Sequence, residues 1–238
     1  ADVRFVKLAI AVGYRSIGHA WPNPPVGCVL VKDGIIIGTG HTGSRGRPHA
    51  ETNALEEAGN QSNGASAYVT LEPCSHFGET PPCVHNIIKS KIARVVCPLI
   101  DPDPRVSGSG FKKLKQAKIK VDYIPLGNIA AKEVVRGFIS RVTQGRPFIT
   151  VKLGMSLDGK IASKFGKSQW ITNKHARNRS HLLRSQNNAI LVGTNTFIND
   201  NPKLNVRGTL NNLNSPLRVF LDYNLKIFPS NSILTNMS

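Results

Sequence analysis

The sequence predicts a mixed α/β protein built from two domains. From residue 26 onward, strand-like apolar runs alternate with helix-like runs, the pattern of a layered α/β domain. The alternation breaks at Gln144-Gly145-Arg146-Pro147, and the charge balance shifts at the same place. The length of 238 residues also exceeds the roughly 150 residues of a common single domain. Together these place one domain over residues 1–145 and a second over residues 146–238.

Each element has its own signal. Residues 3–15 carry Val3, Val6, Ile10 and Tyr14 at helical spacing. Residues 26–31 and 35–38 are apolar runs around Lys32-Asp33-Gly34, and Asp-Gly between two such runs marks a β-hairpin. Residues 49–58, with Pro48 just before them, predict a helix. Residues 67–71 predict a strand that runs into a Pro-Cys turn. Then follow a helix over 82–91 with proline near its start, a strand over 93–99, a helix over 110–116, a strand over 119–124 and one helix over 128–143. Past the break, 148–153 is expected to open a new strand. Thr172-Asn173 is placed to cap a helix through Arg184, and 189–192 and 217–221 are expected to be strands. No internal repeat or low-complexity linker interrupts the series.

Composition narrows the function classes. Hydrophobic residues make up 40% of the chain, enough for a buried core. No run approaches the roughly 18 apolar residues of a membrane-spanning helix. Ala1-Asp2-Val3-Arg4 lacks the basic-then-apolar order of a signal peptide, so the expected location is the cytoplasm. Four cysteines in a chain of this length do not make a disulfide framework. The net charge is +17, with 18 basic against 11 acidic residues over 1–145 and 13 against 3 over 146–238. Such a field attracts nucleic acid or phosphorylated small molecules. Compositional drift, visible in the asparagine-rich stretch 187–236, yields the same sign, so charge alone selects no function.

The sharpest chemical signal is His49-Ala50-Glu51, followed by Pro73-Cys74 and by Cys83. One histidine and two cysteines suit zinc, and three protein ligands leave a fourth position for water, as in catalytic sites. A carboxylate beside such a water can take its proton and return it to a leaving group. Near a helix start, His49 and Glu51 can line one pocket. Cys74 and Cys83 as a disulfide is the alternative, disfavoured by the missing secretory signal. Cys28 and Cys97 read as small packing residues.

This set resembles the cytidine-deaminase-like zinc hydrolases, whose signature is His-x-Glu followed by Pro-Cys-x-x-Cys, with the Glu as general acid/base. Here eight residues separate the two cysteines. The string from Thr70 to Cys83, Thr-Leu-Glu-Pro-Cys-Ser-His-Phe-Gly-Glu-Thr-Pro-Pro-Cys, is similar to the deaminase domain of the bifunctional riboflavin-biosynthesis deaminase/reductase family. So are the strings over 22–28, 48–51 and 101–108. The resemblance implies that His49, Cys74 and Cys83 bind Zn2+ and that Glu51 shuttles protons. It implies hydrolytic loss of an exocyclic amino group from a diaminopyrimidinone bearing a phosphoribosylamino group. It makes Asn23 and His41 candidates to contact the ring, and His76 a candidate to hold a ligand loop or the phosphate.

The resemblance continues past residue 146. The strings over 151–160, 168–172, 182–185, 192–196 and 200–207 resemble the opening of the family's reductase domain, which is like dihydrofolate reductase in fold and uses NADPH. The implied architecture is a three-layer α/β/α cytidine-deaminase-like domain followed by part of a dihydrofolate-reductase-like α/β domain. Carried over by position, Gly154, Ile161, Ala162, Ser163, Lys164, Trp170, Thr196 and Asp200 would contact NADPH. Ser168, Arg184, Leu204 and Arg207 would contact substrate, with Lys152 a candidate charge in the site. Arg184 and Arg207 suit bidentate phosphate binding. The only acids of this half are Asp158, Asp200 and Asp222, which leaves it positive toward phosphorylated ligands. No G-x-G-x-x-G follows a strand, which argues against a Rossmann domain. The later part of the family's reductase domain, with its Glu-Gly-Gly string, is not in the 93 residues after position 145. The expectation is a fragment, or a partner that covers the open sheet.

Two other readings compete. A nucleic-acid base deaminase uses the same chemistry and suits the charge, but keeps the Pro-Cys-x-x-Cys spacing. A zinc-stapled nucleic-acid binding module would use four protein ligands and leave Glu51 unexplained. The expected partner is therefore a small phosphorylated pyrimidine, with homo-oligomers expected from the family and nucleic acid disfavoured.

Overall fold

The structure, a computed structural model, describes residues 2–207 and 214–227. Contacts divide the chain into Ala1–Ile149 and Thr150–Ser238.

The first unit is built on a five-stranded sheet of order β2-β1-β3-β4-β5. Its strands are β1 (Gly27–Lys32), β2 (Ile35–His41), β3 (Ser66–Val69), β4 (Arg94–Cys97) and β5 (Lys120–Tyr123). The hairpin expected at Asp33-Gly34 is present. Lys32 pairs with Ile35, and both turn residues have positive φ, 51° and 78°, as a two-residue type I′ turn requires. β3 pairs antiparallel with β1 and parallel with β4, and β4 pairs parallel with β5. Parallel neighbours need crossovers. These are α3 (Cys83–Lys89) between β3 and β4, and α4 (Ser109–Gln116) between β4 and β5.

Helices cover both faces of the sheet. α1 (Asp2–Gly13) packs on β1, β3 and β4 and meets α5 (Asn128–Val134), while α2 (Ala50–Ala58) packs on β1 and β2 and meets α3, which meets α4. The core between them includes Val29, Leu30, Val69, Val95, Val96 and Leu114, all 1% exposed or less. α2 lies so close to β2 that a Cβ on Gly40 would stand 2.2 Å from the Ala50 carbonyl oxygen. This contact holds the first turn of α2 against the sheet. The helix expected over 128–143 is two helices, α5 and α6 (Arg136–Gln144). Val135 sits between them at φ −100°, ψ 15°. That non-helical step lets the adjacent Val134 and Val135 both enter the core, at 4% and 1% exposed.

The second unit holds α7 (Lys174–Ser185), β6 (Ala189–Gly193), α8 (Thr194–Asp200) and β7 (Leu217–Leu221). Asn173 caps α7 as expected, its side chain accepting from the Ala176 amide. β6 and β7 pair in parallel. Phe197 and Leu204 are buried against Ile190, Val192, Phe220 and Ile227, and Phe197 meets Phe220 edge-on at 4.9 Å. That anchoring of Phe197 explains α8, whose Thr- and Asn-rich sequence gives little helical propensity. The strand expected over 148–153 is absent. Val151 and Leu153 are 77% and 66% exposed, and an extended apolar run becomes a strand only where a ladder partner lies beside it. No described helix is long and apolar enough to cross a membrane.

Candidate metal and catalytic site

The predicted zinc residues meet in space. The N-cap of α2 is His49, and Glu51 lies in the helix's first turn. Cys74 lies past the end of β3, and Cys83 opens α3. One ligand atom from each of His49, Cys74 and Cys83 lies within 4.8 Å of the others. His49 Nδ1 is 3.1 Å from Cys83 Sγ and 3.6 Å from Cys74 Sγ. Ligands bonded to one zinc ion at 2.0–2.3 Å in tetrahedral array stand roughly 3.5–3.8 Å apart, so the three residues fit a zinc centre with little movement. The two cysteines are not bridged to each other, which leaves both sulfurs open to a metal ion.

Backbone contacts hold the set in place. The Cys83 amide donates to Cys74 Sγ at 3.3 Å, and the Val84 amide to the Cys74 carbonyl at 3.2 Å. The Asn23 side-chain amide lies 3.2 Å from His49 Nε2 and donates to the Gly46 carbonyl at 2.9 Å.

The electrostatics suit the chemistry. Glu51 is only 5% exposed. Burial raises its pKa above the usual carboxylate range, and the His49 charge offsets part of that rise. The Cys74 thiol is pulled down by its hydrogen bonds with Cys83 and His49, against the opposing effect of burial. Burial lowers the His49 pKa, but its hydrogen bond to Cys74 and the Glu51 charge reverse this, and the net shift is upward. Cys28 and Cys97 are buried thiols whose pKa burial pushes up, as packing residues require.

The candidates around this centre are placed more loosely. His41 Nδ1 contacts Ser16 Oγ at 3.2 Å and the Thr42 carbonyl at 3.1 Å, and its ring lies edge-on to His19. His76 carries a buried Nδ1 with no hydrogen-bond partner among the described residues. Three buried carboxylates that the sequence reading did not single out stand close by, Glu72 at 3% and Asp101 and Asp103 each at 6% exposed. Their only signal in the sequence is an acid set between apolar or proline neighbours at a strand end.

In the second unit, Arg184 donates to the Asn205 carbonyl at 2.5 Å and feels the charge of Arg207. Arg184 Nε, His181 Nδ1 and Asn205 Oδ1 are buried without hydrogen-bond partners among the described residues. Leu204 is 4% exposed, its side chain buried in the small core with Phe197. Ser168 is exposed. The residues expected at the cofactor are spread along exposed backbone. Ser163 closes a turn with Lys167, Lys164 lies over the Phe165 ring, and Trp170 stacks under the Arg177 guanidinium at 4.1 Å. Gly154 and Ala162 are half-buried, and Ile161, Thr196, Asp200 and Lys152 are exposed. Of the unpaired atoms of Arg184, His181 and Asn205, only Arg184 Nε belongs to a residue expected at a ligand.

A mixed five-stranded sheet with a helix-borne His and Glu facing two cysteines defines a cytidine-deaminase-like zinc fold. Residues 1–99 match the family described as the cytidine and deoxycytidylate deaminase zinc-binding region, and residues 147–238 match the RibD C-terminal domain. The riboflavin biosynthesis protein RibD of Aquifex aeolicus is 45% identical over 233 residues, 98% of this chain and 65% of that protein. RibD of Escherichia coli is 42% identical over 244 residues, 98% of this chain and 66% of that protein. Among solved structures, Acinetobacter baumannii RibD superimposes with TM-score 0.90 at 39% identity, covering 99% of this chain and 67% of that one. The diaminohydroxyphosphoribosylaminopyrimidine deaminase/5-amino-6-(5-phosphoribosylamino)uracil reductase of Thermotoga maritima gives 0.88 at 42% identity over 95% and 66%. The chain belongs to the RibD family of riboflavin biosynthesis proteins. It spans about two thirds of the length of the relatives it matches.

Proposed function

We propose that residues 1–145 form a zinc-dependent deaminase of riboflavin biosynthesis. It would convert 2,5-diamino-6-(5-phosphoribosylamino)pyrimidin-4(3H)-one and water to 5-amino-6-(5-phosphoribosylamino)uracil and ammonia. The observation that carries this reading is the convergence of His49, Cys74 and Cys83 beside the buried Glu51. When bound by those three residues, zinc supplies a water whose pKa falls to about 7. Glu51 would take a proton from the attacking water on a carboxylate oxygen and deliver it to the departing amino nitrogen. Its burial beside the three ligand residues suits a group that both accepts and donates a proton. Asn23, whose side-chain amide lies 3.2 Å from His49 Nε2, and His41 would contact the ring of the substrate.

Residues 146–238 are, in the same reading, the N-terminal part of an NADPH-dependent reductase domain. Gly154, Ile161–Lys164, Trp170, Thr196 and Asp200 would lie at the cofactor. Ser168, Leu204, Arg184 and Arg207 would lie at the substrate, where the unpaired Arg184 Nε suits a phosphate oxygen. The test is ammonia release from the diaminopyrimidinone ribosyl phosphate with and without a zinc chelator. Release that the chelator abolishes and added zinc restores is expected. No release from folded, zinc-loaded protein overturns the assignment.

A further inference from the structure

Glu72 is a buried carboxylate, 3% exposed, that the deamination scheme does not use. It lies two residues before Cys74, and its own amide donates to the Leu99 carbonyl at 2.9 Å. Its two oxygens accept four backbone amides, all from one later segment. Oε2 receives Asp101 N at 3.2 Å and Gly108 N at 2.9 Å, and Oε1 receives Gly110 N at 2.9 Å and Phe111 N at 3.2 Å. No side-chain cation is among these partners. The buried charge is met by backbone amides, two of them in the first turn of α4, where the helix dipole favours an anion.

Other contacts close the same seam. A Cβ on Gly110 would stand 2.2 Å from the Pro73 carbonyl oxygen. Ser75 Oγ and Ser109 Oγ are 2.5 Å apart, and Lys113 Nζ donates to the Ser75 carbonyl at 2.6 Å. Residues 72–75, which carry a metal ligand, are thus fastened along their length to residues 101–113. On its other side, Cys74 meets the amides of Cys83 and Val84 and the His49 ring.

We propose that Glu72 is a positioning residue that sets the Cys74 ligand by locking it to the 101–111 segment, so that metal binding and the order of that segment are one coupled event. This rests on the zinc reading of His49, Cys74 and Cys83. Coupling of this kind is reciprocal. If the ordered segment favours zinc, zinc orders the segment by the same factor. Glu72→Gln is the informative change, because it turns an NH2 group toward two of the four amide donors and leaves the shape intact.

The experiment measures zinc affinity by chelator competition and amide exchange at Asp101, Gly108, Gly110 and Phe111, with and without zinc. Wild type is expected to bind zinc and to slow exchange at those four amides on binding. Glu72→Gln is expected to lose about 10–100-fold in zinc affinity, the usual effect of removing a group that orients a metal ligand. The four amides should then exchange at a rate indifferent to zinc. Val95→Ala, a core truncation in β4, should lower the melting temperature without moving either readout. If Glu72→Gln does not fold, Lys113→Met loosens the same seam and should shift both readouts in the same direction. Wild-type affinity and zinc-dependent protection in Glu72→Gln, or in Lys113→Met where only that variant folds, overturn the proposal. So does a loss of affinity matched by Val95→Ala. Wild type that binds no zinc overturns the underlying metal reading instead.

Discussion

Gly40→Ala tests whether the site depends on the closeness of α2 to the sheet. The added Cβ would lie 2.2 Å from the Ala50 carbonyl oxygen, 2.5 Å from the Ala54 amide nitrogen and 3.0 Å from Asn53 Cβ. An ordinary contact begins near 3.4 Å, so the first turn of α2 must retreat by about 1.2 Å at Ala50. That turn carries Glu51, with His49 at its cap. Backbone obstructs the methyl on two sides, so no flexible side chain can swing away. Forcing a methyl into a well-packed core costs about 1–3 kcal/mol. The greater effect is on the chemistry, because a displacement of about 1 Å in a reacting group can cost on the order of 100-fold in rate. The expected outcome is a modest loss in the urea midpoint, weakened zinc binding and a roughly 100-fold fall in ammonia release at saturating zinc. Gly34→Ala is the matched control, since its Cβ meets nothing within 4 Å but sits at φ +78°. It should lose stability through backbone strain and keep its rate. If Gly40→Ala retains wild-type zinc affinity and turnover, the argument that this glycine sets the position of Glu51 fails.

Glu51→Gln should keep fold and zinc content but lose about 10²–10⁴-fold in deamination, the usual share of proton transfer. A fall in zinc content would show that Glu51 is a ligand. Cys74→Ser should instead weaken zinc binding, read as a shift in chelator competition. Asp2 accepts from Arg94 at 2.9 and 3.0 Å and from the Tyr68 hydroxyl at 2.7 Å, and the Arg94 hydrogen bond leads in holding its pKa down at about 2. A carboxylate with a lowered folded pKa stabilises above its unfolded pKa of 3.8 and loses that contribution as pH falls toward 2. The shift corresponds to roughly 2.4 kcal/mol before screening. Both side chains are a quarter to a third exposed, so about 1 kcal/mol is expected. Asp2→Asn should therefore cost that amount at pH 5 and progressively less as pH falls through 2, measured by urea unfolding. Gly137 lies within α6, and its Cβ would meet nothing, so Gly137→Ala should raise stability by about 0.5–1 kcal/mol.

Much of the first unit was legible because its signals are local. Asp33-Gly34 fixes a hairpin by its own conformational preference, and the paired register follows. His49 and Glu51 fall within three residues of one another, and Cys74 and Cys83 share one proline-bounded string. A metal site built from such short segments shows itself in residue type and spacing. The reading failed where structure depends on neighbours that are distant in sequence. Residues 148–153 have the apolar content of a strand but no described ladder partner. Residues 194–200 lack helical propensity and form a helix because Phe197 is buried against Phe220. The single helix expected over 128–143 breaks because two consecutive valines both enter the core.

Glu72 shows why even a legible site hides part of its construction. It stands in the same string as Cys74, yet its four partners come 29 to 39 residues later. Nothing in the string says where those amides will be. The topology does, because β3 and β4 run parallel and adjacent, so the segments leaving their C-terminal ends emerge side by side. In open sheets of this kind, sites form at those ends. One emerging segment brings Cys74, and the other brings a run of free amides and the start of α4. A carboxylate between them satisfies donors that would otherwise be buried unpaired, at a cost of about 1–3 kcal/mol each. The charge at position 72 is thus required by two connections meeting, which no periodicity along either one reveals.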